Sequence, residues 1–311
     1  MTQQMLLDCQ KRIQPFIHKT PVLTSVLLNT FTNADLYFKC ENFQRAGSYK
    51  IRGATNAILQ LSDVQKSKGV VTHSSGNFAQ ALSLAAKNLG VKAYIVMPSS
   101  APRVKQEAAL GYGGLITICE PTLKAREEAS LKIQEETGAT FIHPSNNLEV
   151  IYGQGTASFE LIESVKELDF IIAPVGGGGL LAGTSLYANS FLENCKVIGA
   201  EPFEVDDAYR SLLSGKIETN TTTNTIADGL KTQLGNHNFP IIQKHVNSII
   251  RVTEEEIIEA MKLVYERMKI IIEPSSAVAF AAVIREKEKF KNKKVGIIIS
   301  GGNVDLTKLP F

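Results

Sequence analysis

Short apolar, β-branched runs alternate along this chain with longer segments in which apolar residues recur every three or four positions. That alternation predicts strands and helices in turn, and so a parallel sheet wrapped by helices. The strand-like runs are Leu36–Lys39, Gly69–Thr72, Ala93–Val96, Leu115–Cys119, Phe170–Pro174, Lys196–Ala200 and Lys294–Ile299. Between them, Asn77–Leu89 and Thr122–Thr137 read as helices. Several strands run directly into Ser/Gly-rich turns that open a helix, and the carboxyl edge of an open α/β sheet is where ligands bind. A turn-rich HPSNN stretch around Pro144–Asn147 divides two such series, while TNTTTNT, Thr219–Thr225, reads as an exposed loop.

Composition narrows this picture. The 311 residues are 44% hydrophobic and 21% charged, which is globular and long enough to bury a core without staples. A net charge of +2 with no basic run implies no nucleic-acid partner. No apolar run approaches the ~20 residues of a membrane span, and the N-terminal MTQQMLLDCQKRIQPF is too polar for a signal peptide. Cys9, Cys40, Cys119 and Cys195 form no CxxC pair and read as reduced thiols. The expectation is a soluble cytoplasmic protein.

Four motifs carry the chemistry. In GSYKIRGA, Gly47–Ala54, Lys50 sits between small and aromatic neighbours instead of on a charged face. Such an amine becomes nucleophilic when a low-dielectric or cationic setting depresses its pKa, and Arg52 is the expected source of nearby positive charge. In HSSGNFAQA, His73–Ala81, a strand gives way to a helix through Ser74, Ser75, Gly76 and Asn77. Its amides and hydroxyls can form an anion nest, although an ordinary N-cap uses the same residues. In DFIIAPVGGGGLLAG, an apolar strand enters Gly176, Gly177, Gly178 and Gly179 and then a helix. Four bare amides at a helix's positive end suit a single phosphate monoester. The spacing is neither GxGxxG nor GxxxxGK[ST], so dinucleotides and nucleoside triphosphates fit poorly. Finally, VGIIISGGNVDL places Ser300, Gly301 and Gly302 at the end of another apolar strand.

SYKIRGA, SSGN, GGGGLLAG and SGGN, in this order, resemble the fold-type II pyridoxal-phosphate enzymes, and within them the serine racemase and threonine (serine) dehydratase branch. The resemblance runs from TPVLTS at Thr20–Ser25 to Leu306. It implies an α/β fold of two open twisted sheets of mostly parallel strands flanked by helices, like the tryptophan synthase β subunit. It also implies a large cofactor-binding domain from residues 1–65 and 147–311, with residues 66–146 inserted as a small domain. By the same resemblance, Lys50 holds pyridoxal 5′-phosphate as a Schiff base and acts as a base, with Tyr49 flanking the ring. Asn77 bonds the ring oxygen, Gly176–Gly179 hold the phosphate, and Ser300 with Gly301 meets the pyridine nitrogen. Ser74, Ser75, Gly76 and Gln80 meet the substrate carboxylate, and Ser75 matches the opposite-face acid/base of serine racemases. Phe78 and Ala79 depart from the branch's usual SSGNHGQ, which bears on substrate preference.

GAEPFEVDDAYRS, Gly199–Ser211, is similar to the divalent-cation loop of the racemase branch. The implied ligands are Glu201, the carbonyl of Val205 and Asp207, with Mg²⁺ (or Ca²⁺ or Mn²⁺) as the ion, since hard oxygen donors suit those cations. The implied activity is dehydration and deamination of L-threonine or L-serine to a 2-oxo acid and ammonia through an aminoacrylate. Serine racemase with side elimination, or 3-hydroxyaspartate dehydratase, is the alternative. A cysteine synthase-type β-replacement enzyme and a non-catalytic binding protein are the competing classes. The partner is a small hydroxy amino acid, and the resemblance implies a homodimer.

Overall fold

The computed structural model describes residues 2–101 and 103–311, with the side chain of Val104 also left out of the description. Among the described residues ten strands form two sheets. The larger takes β1 (Val22–Leu23), β2 (Asp35–Cys40), β7 (Phe170–Pro174), β8 (Lys196–Pro202), β9 (Ser248–Val252) and β10 (Lys294–Ile299). Its order is β1-β2-β10-β7-β8-β9, antiparallel between β1 and β2 and parallel elsewhere. The smaller takes β3 (Val70–His73), β4 (Ala93–Pro98), β5 (Leu115–Cys119) and β6 (Thr140–Phe141), all parallel, in the order β5-β4-β3-β6.

The apolar runs are continuous because helices cover both faces of the large sheet. Along β10, Val295, Ile297 and Ile299 enter one core and Ile298 the other; along β7, Phe170 and Ile172 oppose Ile171 and Ala173 in the same way. The strands β4, β5, β7 and β8 start at their expected residues, Ala93, Leu115, Phe170 and Lys196, and β5, β7 and β10 match at both ends. The run expected at Gly69–Thr72 lies one residue later, because Gly69 adopts φ +92 and caps the preceding helix. The helices Asn77–Asn88 and Leu123–Thr137 also follow the pattern, the second capped by the Thr122 hydroxyl on the Ala125 amide. The strands β1, β6 and β9 were not expected.

The two sheets meet through the helices Lys50–Leu59 and Leu148–Ser164, which cross at van der Waals contact of their backbones. A Cβ at Gly153 would stand 2.5 Å from the carbonyl oxygen of Arg52, so only glycine permits this approach. The helix that presents Lys50 is thereby clamped. Among the described residues no helix is long and apolar enough to cross a membrane, and the four cysteines are free.

Candidate active site

The motif turns are carboxyl-end connections: β3 into Ser74–Gly76, β7 into Val175–Gly178, β8 into Phe203–Asp206, and β10 into Ser300–Gly302. Lys50 is delivered to the same region by an isolated bridge between Ser48 and Gly301 and by the Tyr49 amide, which donates to the Ser300 carbonyl at 3.0 Å. The first and last strongly patterned motifs of the chain are thus stitched together by backbone hydrogen bonds.

The Lys50 amine donates to the Pro144 carbonyl at 3.1 Å and lies 5.0 Å from the Tyr49 ring centre and 5.9 Å from that of Phe78. Among the described residues no carboxylate touches it. Burial disfavours its charged form and brings its pKa down to about 8, with the more distant Glu273 opposing the shift. Arg52, expected to supply the cationic push, does not. It points to the other side of the helix, where Glu41 and Glu160 neutralise it. Phe78 is buried and forms part of the apolar wall beside Lys50.

Asn77 opens its helix and donates to both oxygens of Glu273 at 2.8 and 2.9 Å, while Asn303 donates to the Asn77 carbonyl oxygen at 3.0 Å. Glu273 is 2% exposed, and burial, reinforced by Asp228, raises its pKa to about 7 despite the Asn77 bonds. Sequence reasoning missed Glu273, although the signal exists: IIEPSSA has an acid at the N-cap and Pro274 at the first helical position. Ser276 from the same turn lies 2.9 Å from the Ser300 hydroxyl and accepts from the Gly301 amide at 2.7 Å. Ser74 and Ser75 are partly exposed on the turn before Asn77, with the Ser74 amide donating to the Val96 carbonyl at 3.1 Å. Gly76 is the N-cap of the helix, and Gln80, one turn beyond Asn77, is buried.

Gly176–Gly179 are all buried, and among the described residues their amides find no protein acceptor. The back of the loop is filled: a Cβ at Gly176 would meet the Leu230 backbone at 2.6 Å, and one at Gly179 would meet the Gln154 side chain at 2.5 Å. Gly178 turns the chain with φ +79 into the helix Gly179–Phe191. Four unengaged amides in a buried cradle at a helix N-terminus fit a phosphate. The Lys50 amine, held by the Pro144 carbonyl alone among the described residues, and the Ser300–Ser276 hydroxyls complete a donor set that suits pyridoxal phosphate. A further group the sequence reading did not raise is His143. Its ring nitrogen accepts from the amides of Ser145 and Asn146 and so fixes the turn carrying the Pro144 carbonyl. Burial first, then His73, Lys50 and His237, bring its pKa down to about 4, so the ring is neutral.

The loop after β8 is equally enclosed. Glu201 and Asp207 are both 0% exposed. Glu201 accepts from the amides of Ala208 and Tyr209, and Asp207 accepts from the Leu234 amide and the Asn220 side chain. Burial raises both pKa values, that of Asp207 to about 6, and the charge of Asp207 raises that of Glu201 further. Two buried carboxylates, with the charge of one opposing the ionisation of the other, are a donor pair whose chemistry suits a divalent cation. Among the described residues no cluster of three or more His, Cys, Asp or Glu side chains suits a metal, so water would have to fill the remaining positions.

A sheet-edge cleft with a weakly paired lysine, a glycine cradle and a serine-ended strand defines a class, and the chain belongs to it: residues 13–301 match the family described as pyridoxal-phosphate dependent enzyme. The serine racemase of Dictyostelium discoideum is 55% identical, over 99% of this chain and 97% of that protein. The beta-hydroxyaspartate dehydratase of Paracoccus denitrificans (strain Pd 1222) is 47% identical, over 100% and 98%. The crystal structure of a threonine deaminase from T.th. superposes with a TM-score of 0.94 at 39% identity, covering 99% of this chain and 100% of that one. The fold is that of the fold-type II pyridoxal-phosphate enzymes, as the resemblance implied.

Proposed function

We propose that the protein interconverts L- and D-serine and also eliminates water from β-hydroxy amino acids. The observation that carries this reading is the Lys50 amine, brought down to about 8 without any touching carboxylate among the described residues, in the cleft bordered by the Ser74–Asn77 turn. An amine near neutrality can both accept and return a proton. The relatives support serine racemisation, with 3-hydroxyaspartate dehydration beside it, ahead of the L-threonine dehydratase reading of the sequence.

Bound pyridoxal phosphate supplies the electron sink that acidifies the substrate Cα–H bond. Lys50 would anchor it, Asn77 and Ser300 would bond its ring, Tyr49 would flank it, and Gly176–Gly179 with Gly301 would enclose it. Lys50 moves the Cα proton on one side. The Ser75 hydroxyl serves the other, and Ser74, Gly76 and Gln80 help receive the substrate carboxylate. Ser300 bonds Ser276 and, among the described residues, no acid touches its hydroxyl, so it favours a neutral pyridine nitrogen and with it elimination over transamination. Glu201, the Val205 carbonyl and Asp207 would bind Mg²⁺, Ca²⁺ or Mn²⁺. The domain division at residues 65/66 and 146/147, a homodimer and a cytoplasmic setting belong to the same reading; four free cysteines suit a reducing compartment.

Purified enzyme with L-serine, L-threonine and L-threo-3-hydroxyaspartate, with and without Mg²⁺, tests it by D-serine and 2-oxo acid formation. D-serine should form from L-serine and fall at least about tenfold in Ser75→Ala, while elimination persists. Oxo acid without D-serine would leave a dehydratase and make Ser75 a binding residue.

A further inference from the structure

Lys105 and Asp228 form an ion pair between the helix Arg103–Gly111, beside the small sheet, and the turn Asp228–Leu230, beside the large one. The pair therefore spans the cleft. Its two ends differ: the Lys105 side chain is 12% exposed and that of Asp228 is 42% exposed. The Lys105 amine lies over the Ser74–Asn77 turn, 3.8 Å from where a Cβ of Gly76 would stand. Both charges also reach Glu273, which holds Asn77: Asp228 pushes its pKa up and Lys105 pulls it down. So the pair faces the substrate side of the cleft, yet nothing in the proton transfers above uses it.

A partly solvated pair of this kind adds little to stability. A lysine is a flexible point charge that can exchange one carboxylate for another at low cost. A monocarboxylic substrate needs one anion receiver, which the Ser74–Asn77 turn supplies. A dicarboxylic one needs a second cation.

We propose that Lys105 is a specificity-determining residue that receives the side-chain carboxylate of a β-hydroxy dicarboxylic amino acid, with Asp228 as the internal stand-in that this carboxylate displaces. The inference rests on the reading of the cleft as a site for β-hydroxy amino acids. It also makes the balance between serine and 3-hydroxyaspartate a property of one exchangeable ion pair. A simple clip between the two sides of the cleft would treat both substrates alike.

The test compares kcat/KM for elimination from L-threo-3-hydroxyaspartate and from L-serine in the holoenzyme and in Lys105→Met, Lys105→Arg and Asp228→Asn. Substrate binding is followed separately through the visible absorption of the cofactor. Lys105→Met should lower the hydroxyaspartate-to-serine ratio about 10- to 100-fold, mainly through KM, the range for losing a charged hydrogen bond. Lys105→Arg should recover most of the ratio, and Asp228→Asn should raise it. An unchanged ratio in Lys105→Met, or equal losses for both substrates, overturns the inference and leaves the pair a clip. If neither substrate perturbs the absorption of the unmodified holoenzyme, the reading of the cleft fails and takes this inference with it.

Discussion

Lys50 and Arg52 stand two residues apart on the same helix, one facing the cleft and the other the interior, because two residues turn an α-helix by about 200°. Arg52 is 0% exposed, yet it is fully paired. Its guanidinium donates to Glu41 at 2.6 and 2.8 Å, to Glu160 at 2.9 and 2.8 Å, and to Thr156 at 3.2 Å. Lys39 joins through Glu160 at 2.6 Å and the Thr20 carbonyl, closing a buried set of two cations and two carboxylates. Burial opposes the charge of Arg52, but its carboxylate partners outweigh burial and push its pKa up. Lys50 has one carbonyl and two rings, and burial wins. A basic neighbour is therefore not what lowers the Lys50 pKa; burial is, with no touching carboxylate among the described residues to offset it. The interior face of the helix spends its charges on fixing position, and the cleft face keeps one uncompensated.

This contrast can be broken in two places. The largest effect falls on Lys50→Ala, which should lower kcat/KM by at least about 10⁴-fold for every substrate, since the proposed reaction would lose both its anchor and its base. The same variant should melt no earlier than the unmodified apoprotein, because losing the unfavourably buried cation offsets losing its one hydrogen bond, to the Pro144 carbonyl. Next is Arg52→Met, which strands Glu41 and Glu160 without their shared cation. Removing one partner of a buried ion pair costs about 3–5 kcal/mol, read by denaturant unfolding of the apoprotein. If Arg52→Met proved harmless to stability while Lys50→Ala unfolded the chain, the assignment of roles to the two faces would be reversed.

The fold and the glycine and serine turns were legible because each is a local pattern: an apolar run, then small residues, then a helix. Strands β1 and β6, at two residues each, carry no periodicity, and β9, SIIRV, merges into the EEE start of the next helix. The role of Arg52 was misread for a different reason. Its partner Glu160 is 108 residues away, and proximity in sequence says nothing of which side of a helix a charge faces. Asp228 and His143 were invisible as site groups on the same ground, whereas Glu273 left a local signal, an acid at the N-cap before Pro274, that went unused. The Thr219–Thr225 stretch is largely exposed as expected, but Asn220 within it bonds Asp207, a contact that low complexity concealed.

The smallest effect separates the two faces by pH. In the apoprotein the Lys50 amine titrates near 8, against 10.5 for an unperturbed lysine. Below pH 8 both folded and unfolded states hold the proton, and burial of the cation weighs against folding in full. Between 8 and 10.5 the folded state has released it while the unfolded state keeps it. Unfolding free energy therefore gains from this residue as pH rises, and above 10.5 the penalty is gone. Glu160 has the opposite sign. Burial alone would raise its pKa, but Arg52 and Lys39 hold it down to about 2. Its contribution is present above the ordinary 4.5 and is lost as pH falls toward 2. Glu273, near 7, changes below the lysine window and leaves it clear. Lys50→Met should accordingly be more stable than the unmodified apoprotein at pH 7.5, with the gap narrowing steadily by pH 10 in matched denaturant melts. A gap that stays constant across that range would mean that Lys50 remains charged in the cleft, and that the cleft face is as well compensated as the interior one.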